Sequence, residues 1–324
     1  MPELKDFHVD ESKVWFTEGY WPEGVPKQIF EIKDVDVLPL HKGFESQADK
    51  YGTWDNDICL FVLGPYIERI KLKDIWEKAK KFGTFLHNTC GIRKGDVVAI
   101  DLPNSINFVI AFVGAQYIGA IVAGVNPTYR PMELLHTLTM TEAKAFVMMD
   151  ALYIAGPNSV LPKTKVKHVI STNLLDFITA EPTIFEKIRD NVPDFQDKVP
   201  DETDQYKVYR MKRIIEETDA KDLEVDIDPW DDVAVYLMTG GTTGLPKAAA
   251  LTHANLYLDL KMMEPWVNLK PGMITIGTIP FFHSFGMTCV MMASLSLGMP
   301  MLLFPKPPPD EDLCKAINQI EAPE

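Results

Sequence analysis

The stretch Val233-Ala234-Val235-Tyr236-Leu237-Met238-Thr239-Gly240-Gly241-Thr242-Thr243-Gly244-Leu245-Pro246-Lys247 decides how this chain is read. Its first six residues are β-branched, aromatic and apolar, the composition of a buried strand. Three glycines and three threonines follow. Without a Cβ, glycine lets the backbone fold tightly and turn several N–H groups to one side. Such a nest of dipoles holds an anion. The threonine hydroxyls add donors, Lys247 adds a charge on a flexible stem, and Pro246 restricts the chain just before it. These parts suit a polyphosphate. The alternative, a flexible Gly/Thr linker, leaves the ordered Leu-Pro-Lys ending after a strand unexplained. The spacing is not G-x-x-x-x-G-K-[ST], because Leu245 and Pro246 separate Gly244 from Lys247. Nor is it G-x-G-x-x-G, which Thr242 and Thr243 break.

Around this stretch lie 324 residues, 46% of them hydrophobic, enough for one large domain or two. A net charge of −14 speaks against nucleic acid as a partner. It also means that an anionic substrate must be met by local positive groups. Cys59, Cys90, Cys289 and Cys314 are scattered without a C-x-x-C pair, which predicts a reducing, cytoplasmic compartment and no metal site. The N-terminus has no apolar signal core. Two uncharged stretches, 106–125 and 285–304, approach the length of a membrane span. Each contains a glycine followed by a short apolar run that stops at a proline. Helix, turn and buried strand are therefore predicted, and no integral membrane span.

Taken in order, the first forty residues carry Trp15, Phe16, Tyr20 and Trp21 with Pro22 and Pro26. They read as a membrane or partner patch, or as an arm laid across the core. Helices are predicted over 38–51, stopped by Gly52, and over 73–89, closed by Gly91. Between them, 58–62 and 69–71 read as strands. Two later segments then echo each other. Gly95 is followed by the strand 97–100, Pro103, an Asn104-Ser105 cap, a helix over 108–117 ending at Gly119, and a strand leading to Pro127. Gly272 is followed by the strand 274–276, Pro280, a helix from about Phe285 ending at Gly298, and Met301–Phe304 leading to Pro305. Glycine to first proline is eight steps in both; glycine to last proline is 32 steps in one and 33 in the other. Each copy continues into a helix, near Met132 and near Asp310. The echo predicts an α/β fold of two similar subdomains with mostly parallel sheets flanked by helices. The first copy continues to a further strand, 145–149, which the second lacks, so the chain is expected to be a fragment. Between the copies, 167–171 reads as a strand and 185–216 as surface helices and loops. Lys207, Arg210, Lys212 and Arg213 form a basic group there, read as a solvated helix face or a phosphate contact.

A second motif, Pro280-Phe281-Phe282-His283-Ser284-Phe285-Gly286-Met287, falls between a strand and a helix, where open α/β folds bind ligands. From its residue chemistry alone, His283 reads first as a core histidine with a satisfied hydrogen bond.

The stretch at 239–248 resembles the phosphate-binding signature of the adenylate-forming superfamily, T-S-G-T-T-G-x-P-K-G. Gly240 replaces the serine and Ala248 the last glycine, which removes one hydroxyl donor and keeps two small residues. The second motif resembles that family's P-[LF]-[FY]-H-x-x-G, and Gly119-Ala120 to Asn126-Pro127 resembles its structural G-A-x-x-x-x-x-N-P segment. The resemblance covers nearly the whole chain and is closest to fatty acyl-CoA synthetases. It implies the N-terminal adenylating domain, incomplete over 1–324: an arm and early elements over 1–75, a first subdomain over 76–265 and part of a second over 266–324. It implies an ATP-dependent acid–CoA ligase using ATP and Mg2+, with CoA as co-substrate. Thr239, Gly240, Gly241, Thr242, Thr243, Gly244 and Lys247 would hold the ATP phosphates. Phe282, His283, Gly286 and Met287 would line the acid pocket. The family's Y-G-x-T-E segment, its ribose-binding acid and its C-terminal lysine-bearing domain have no counterpart in the 324 residues. No catalytic residue or metal ligand is therefore assigned, and this fragment alone is expected to be inactive. Met287, Met291 and Met292 suit a medium- or long-chain fatty acid, or plain core packing; an aryl acid is the alternative. A non-catalytic nucleotide- or acyl-binding module is the alternative of another class. Oligomeric state is not encoded in any of these motifs.

Overall fold

The computed structural model describes residues 34–190, 192, 195–239, 246–267, 269 and 273–321. The aromatic arm and Gly272 lie outside the described residues. The elements run α1 (Leu40–Tyr51), β1 (Asp57–Leu63), β2 (Tyr66–Lys71), α2 (Leu72–Asn88), β3 (Val97–Asp101), α3 (Ile106–Tyr117), β4 (Ile121–Gly124), α4 (Pro131–Met140), β5 (Ala145–Met149) and α5 (Pro157–Val160). They continue with β6 (His168–Thr172), α6 (Pro182–Arg189), β7 (Lys207–Arg210), α7 (Met211–Glu217), β8 (Val233–Thr239), β9 (Lys247–Thr252) and α8 (His253–Val267). After β10 (Thr275–Gly277) comes a π-helical stretch, Gly286–Met292, then α9 (Ala293–Leu297), β11 (Met301–Leu303) and α10 (Asp310–Glu321).

Seven strands form one sheet in the order β7-β6-β5-β3-β4-β8-β9, and four form another in the order β10-β11-β1-β2. Among the described strands only β8–β9 and β1–β2 pair antiparallel. The expected fold class is therefore the observed one. In each echoed segment the first strand lies beside the second and parallel to it, Val97 opposite Ile121 and Thr275 opposite Met301. Both echoed helices end on a left-handed glycine, Gly119 at φ +67° and Gly298 at φ +62°, where a Cβ would strain the turn.

The hydrophobic pattern sorts these elements into layers. The main core lies between the sheets, joining Phe61 and Leu303 of the smaller sheet to Val98 and Ile100 of the larger through α1, α2, α3 and the π-helical stretch. All twelve residues of α3 are buried, as a helix apolar on every side requires. A second core covers the far face of the larger sheet, where Val97 and Ala99 meet Leu134 and Leu138 of α4. A third covers the far face of the smaller sheet, where Leu60 and Leu302 meet Ala316 of α10. No helix among the described residues is long and apolar enough to cross a membrane.

Two findings differ from the sequence reading. Residues 57–71, grouped above with the early elements, supply two of the smaller sheet's four strands: Cys59 lies opposite Met301. Pairing across that much chain leaves no local signal. Within the stretch read as surface helices and loops, Lys207–Arg210 is a strand parallel to β6. Four residues at a sheet edge are too short for their alternation to show against charged neighbours.

Buried ionisable groups set the fold's response to pH. Asp101 ends β3 only 4% exposed, and its Oδ1 has no hydrogen-bond partner among the described residues. Burial pushes its carboxyl up to about 7. On the other side of the ledger, the Leu40 N–H donates to His253 Nδ1 at 3.2 Å, which requires the neutral ring. Burial holds His253 down at about 4, and burial together with Lys42 and His253 holds His41 at about 3. The histidines' contribution is complete above their unfolded value of 6.5 and is lost as pH falls toward 4. Asp101 acts oppositely: its contribution is complete below 3.8 and is lost as pH rises through about 7. Asp101→Asn should therefore raise the melting temperature at pH 8 and change it little at pH 4. Equal shifts at both pH values in thermal melts would show that the carboxyl is not held in its neutral form.

Candidate functional site

The larger sheet's parallel strands β3, β4 and β8 end on one edge. At that edge β8 leaves the sheet at Thr239 and β9 returns at Lys247. The two residues face each other across the antiparallel ladder, and Thr239 Oγ1 donates to the Lys247 carbonyl at 3.1 Å. They form the stem of the glycine-rich loop. Gly240, Gly241, Thr242, Thr243 and Gly244 lie outside the described residues. Lys247 is exposed and makes no ion pair among the described residues. The Pro246 carbonyl accepts a hydrogen bond from His136 Nε2 of α4 at 2.8 Å, which places the ring proton on Nε2.

The turn after β10 meets the same edge. Asn104, which follows β3, donates through Nδ2 to the carbonyls of Gly277 (3.0 Å) and Ile279 (2.9 Å). Its Oδ1 accepts from the Phe281 N–H at 2.8 Å. The side chain is 5% exposed, so these three bonds form largely out of water. Phe281 is buried and packs edge-on against Phe108 of α3, centroids 5.6 Å apart. A Cβ on Gly124, the last residue of β4, would lie 3.1 Å from the Phe282 Cα. A side chain at this position would push the two backbones a few tenths of an ångström apart. A Cβ on Gly286 would strike the Pro280 carbonyl oxygen and stand 2.6 Å from that of Ile279. The chain then continues as the π-helical stretch, a form that concentrates at functional sites.

A family model described as AMP-binding enzyme matches residues 44–322. The chain belongs to this family. It is 33% identical over 254 residues to a long-chain-fatty-acid–CoA ligase of Bacillus subtilis, covering 76% of this chain and 44% of that one. It is 32% identical over 283 residues to 4-coumarate–CoA ligase 3 of Arabidopsis thaliana, covering 85% and 44%. The fold matches a long-chain-fatty-acid-CoA ligase of Archaeoglobus fulgidus at a TM-score of 0.69 and 23% identity, over 88% of this chain and 50% of that one. The chain spans about half the length of the curated relatives it matches.

In this AMP-binding family member, Thr239 and Lys247 stand at the end of β8, and Phe282 touches the end of the neighbouring β4. His283 is exposed, and its Nδ1 accepts from the Phe285 N–H at 3.4 Å. Gly286 is buried beneath the turn. Met287 is 3% exposed in the main core, with Met291 and Met292 fully buried there. Among the described residues no three His, Cys, Asp or Glu side chains are placed to hold a metal ion, so they offer no ligand set for the Mg2+ that the resemblance implies. Asn126 holds the start of the next loop, its Oδ1 accepting from the Thr128 N–H at 3.0 Å.

Three residues of the site escaped the sequence reading. The sequence pairs Asn104 with Ser105 as a helix cap, whereas in the fold Ser105 caps the helix, accepting from the Phe108 N–H at 3.2 Å. Gly124 and His136 sit in segments with no local signal of a distant contact. The adjacent Pro103 and Asn104 at a strand end were the available clue. Asn104→Ala leaves a buried N–H and two carbonyls without this partner and should destabilise the protein by about 2–4 kcal/mol. Chemical denaturation that shows no change would remove Asn104 from its clamping role. Gly286→Ala should be at least as damaging, because the clash is with backbone.

Proposed function

We propose that this chain forms the nucleotide- and acid-binding part of an AMP-forming acid–CoA ligase, with a medium- or long-chain fatty acid as the acid. In the first step a carboxylate oxygen of the acid attacks the α-phosphorus of ATP. The bond from that phosphorus to the bridging oxygen breaks, and pyrophosphate leaves. In the second, the thiol of CoA, losing its proton, attacks the acyl carbon; AMP leaves and a thioester forms. Neither step needs a covalent bond to the protein. The protein's task is to hold anionic groups in line and offset charge as it moves to the leaving group. Thr239, Gly240, Gly241, Thr242, Thr243, Gly244 and Lys247 would hold the β- and γ-phosphates. Phe282 and His283 would line the acid's side of the site, with Gly286 and Met287 setting the turn beneath them.

The observation that carries this reading is the shared edge: the stem of the polyphosphate loop and the Phe282–His283 turn meet the ends of adjacent parallel strands, β8 and β4. Family membership supports the ATP requirement, and the relative named for long-chain fatty acids supports the acid. The four cysteines are unpaired, two of them buried, which suits a reducing, cytoplasmic setting. In the full-length enzyme, Lys247→Ala should lower kcat/KM for ATP by about 100-fold, the loss of one charge-assisted phosphate contact. Unchanged turnover and nucleotide affinity would refute the role of Lys247. The 324-residue chain by itself should show no appreciable ATP–pyrophosphate exchange with palmitate or with 4-coumarate. Brisk exchange would refute its dependence on further residues, and a preference for 4-coumarate in the full-length enzyme would replace the fatty acid with an aryl one.

A further inference from the structure

A cavity of about 430 Å3 opens where β6 and β7 end. In the strand order, four spacings separate β6 from β8, about 19 Å at ~4.8 Å each. The cavity is therefore distinct from the stem of the glycine-rich loop, although it lies on the same carboxyl edge. It is large enough for a small organic ligand.

Its walls are unbalanced in charge: Arg189, Arg210, Lys212 and Arg213 face Asp176 and Glu216. Asp176 is already engaged, its Oδ2 accepting from Thr172 Oγ1 at 2.6 Å and from the Asn173 N–H at 2.9 Å. Arg213 is paired with Glu217. Arg189 and Lys212 make no ion pair among the described residues. The decisive pair is Ser171 and Arg210, which lie opposite each other across the β6–β7 ladder. Arg210 Nη2 donates to the carbonyls of Gln196 (3.1 Å) and Val199 (2.7 Å), which fixes the guanidinium plane. Its nearest carboxylate, Asp201, is 3.7 Å away and almost fully exposed. Nη1 of the same group is buried and has no hydrogen-bond partner among the described residues. Neither does Ser171 Oγ, in a residue only 1% exposed. Two desolvated polar atoms on residues that line the cavity, one of them part of a braced cation, are costly to leave unmet. A phosphate group meets both, because its oxygens match the planar guanidinium fork and accept from a hydroxyl. Phe185 and Leu175 supply an apolar wall beside them.

We propose that this cavity is a phosphate site, with Arg210 and Ser171 as its direct donors and Phe185 packing against the organic part of a small phosphate ester. The proposal does not rest on the acid–CoA ligase reading. Inorganic phosphate and phenyl phosphate are titrated into the 324-residue chain by calorimetry, in wild type and in Lys247→Ala. Each probe should bind wild type and Lys247→Ala with the same affinity, and phenyl phosphate should bind more tightly than inorganic phosphate; equal affinities of the two probes assign the site to free phosphate. The double variant Arg189→Glu/Lys212→Glu, both exposed side chains, should keep the wild-type melting temperature and weaken binding by about tenfold or more. Arg210→Lys keeps the charge, loses the fork, and should weaken binding as well. Absence of saturable binding to wild type at millimolar concentrations overturns the proposal. So does binding that Lys247→Ala abolishes, or that the double variant leaves unchanged. Failure of the ligase reading is seen separately, in the turnover of full-length Lys247→Ala.

Discussion

One buried amide holds the carboxyl ends of two sheets against each other. Asn104 spends both amide hydrogens on carbonyls at the end of β10 and accepts the Phe281 N–H in return. Backbone groups at the end of a strand have run out of ladder partners and must find others when buried. Here one side chain satisfies three at once, and it comes from the other sheet. The position of the Phe282–His283 turn relative to β4 and β8 follows from this clamp. The close approach of Gly124 to Phe282 and the buried Gly286 are possible only with the turn held there.

The surrounding layers explain why the clamp can be buried. The main core runs through from one sheet to the other, with α3 enclosed on every side. Sheets joined by such a core cannot shift against each other without opening apolar surface to water, so their edges keep a fixed relation. Functional groups on loops then inherit the rigidity of the strands that carry them. The same logic applies at β6 and β7, where a braced arginine faces a cavity at strand ends. A parallel sheet directs all its carboxyl ends one way, so a single edge can carry more than one place for an anion.

The structure also revises how the basic group 207–213 is understood. Read along the chain, its charges resemble a wet helix face. In the fold, Lys207 and Arg210 belong to a strand and Lys212 and Arg213 to the short helix after it. Arg210 is drawn inward because two carbonyls of the preceding turn need a donor. Charge alone did not distinguish these situations, since exposure depends on which element covers the strand. The methionines Met287, Met291 and Met292 make the same point: the fold buries all three in the main core, which their spacing in the sequence leaves undecided.

By itself the sequence determined the local elements of the two echoed segments, their parallel pairing and the place of the glycine-rich stretch. Hydrophobic period, proline and left-handed glycine act within a few residues, and the echoed Gly-to-Pro spacing carried them up to two similar units. It also determined the family, because the T-G-G-T-T-G-L-P-K and P-F-F-H stretches are contiguous. Only the tertiary structure decided that residues 57–71 complete the smaller sheet, that Lys207–Arg210 extends the larger one, and that Asn104, Gly124 and His136 belong to the site. Each of these rests on a contact between residues about one hundred positions or more apart, or on burial of a short edge segment. No local pattern records such a contact, because it is fixed by the packing of whole layers.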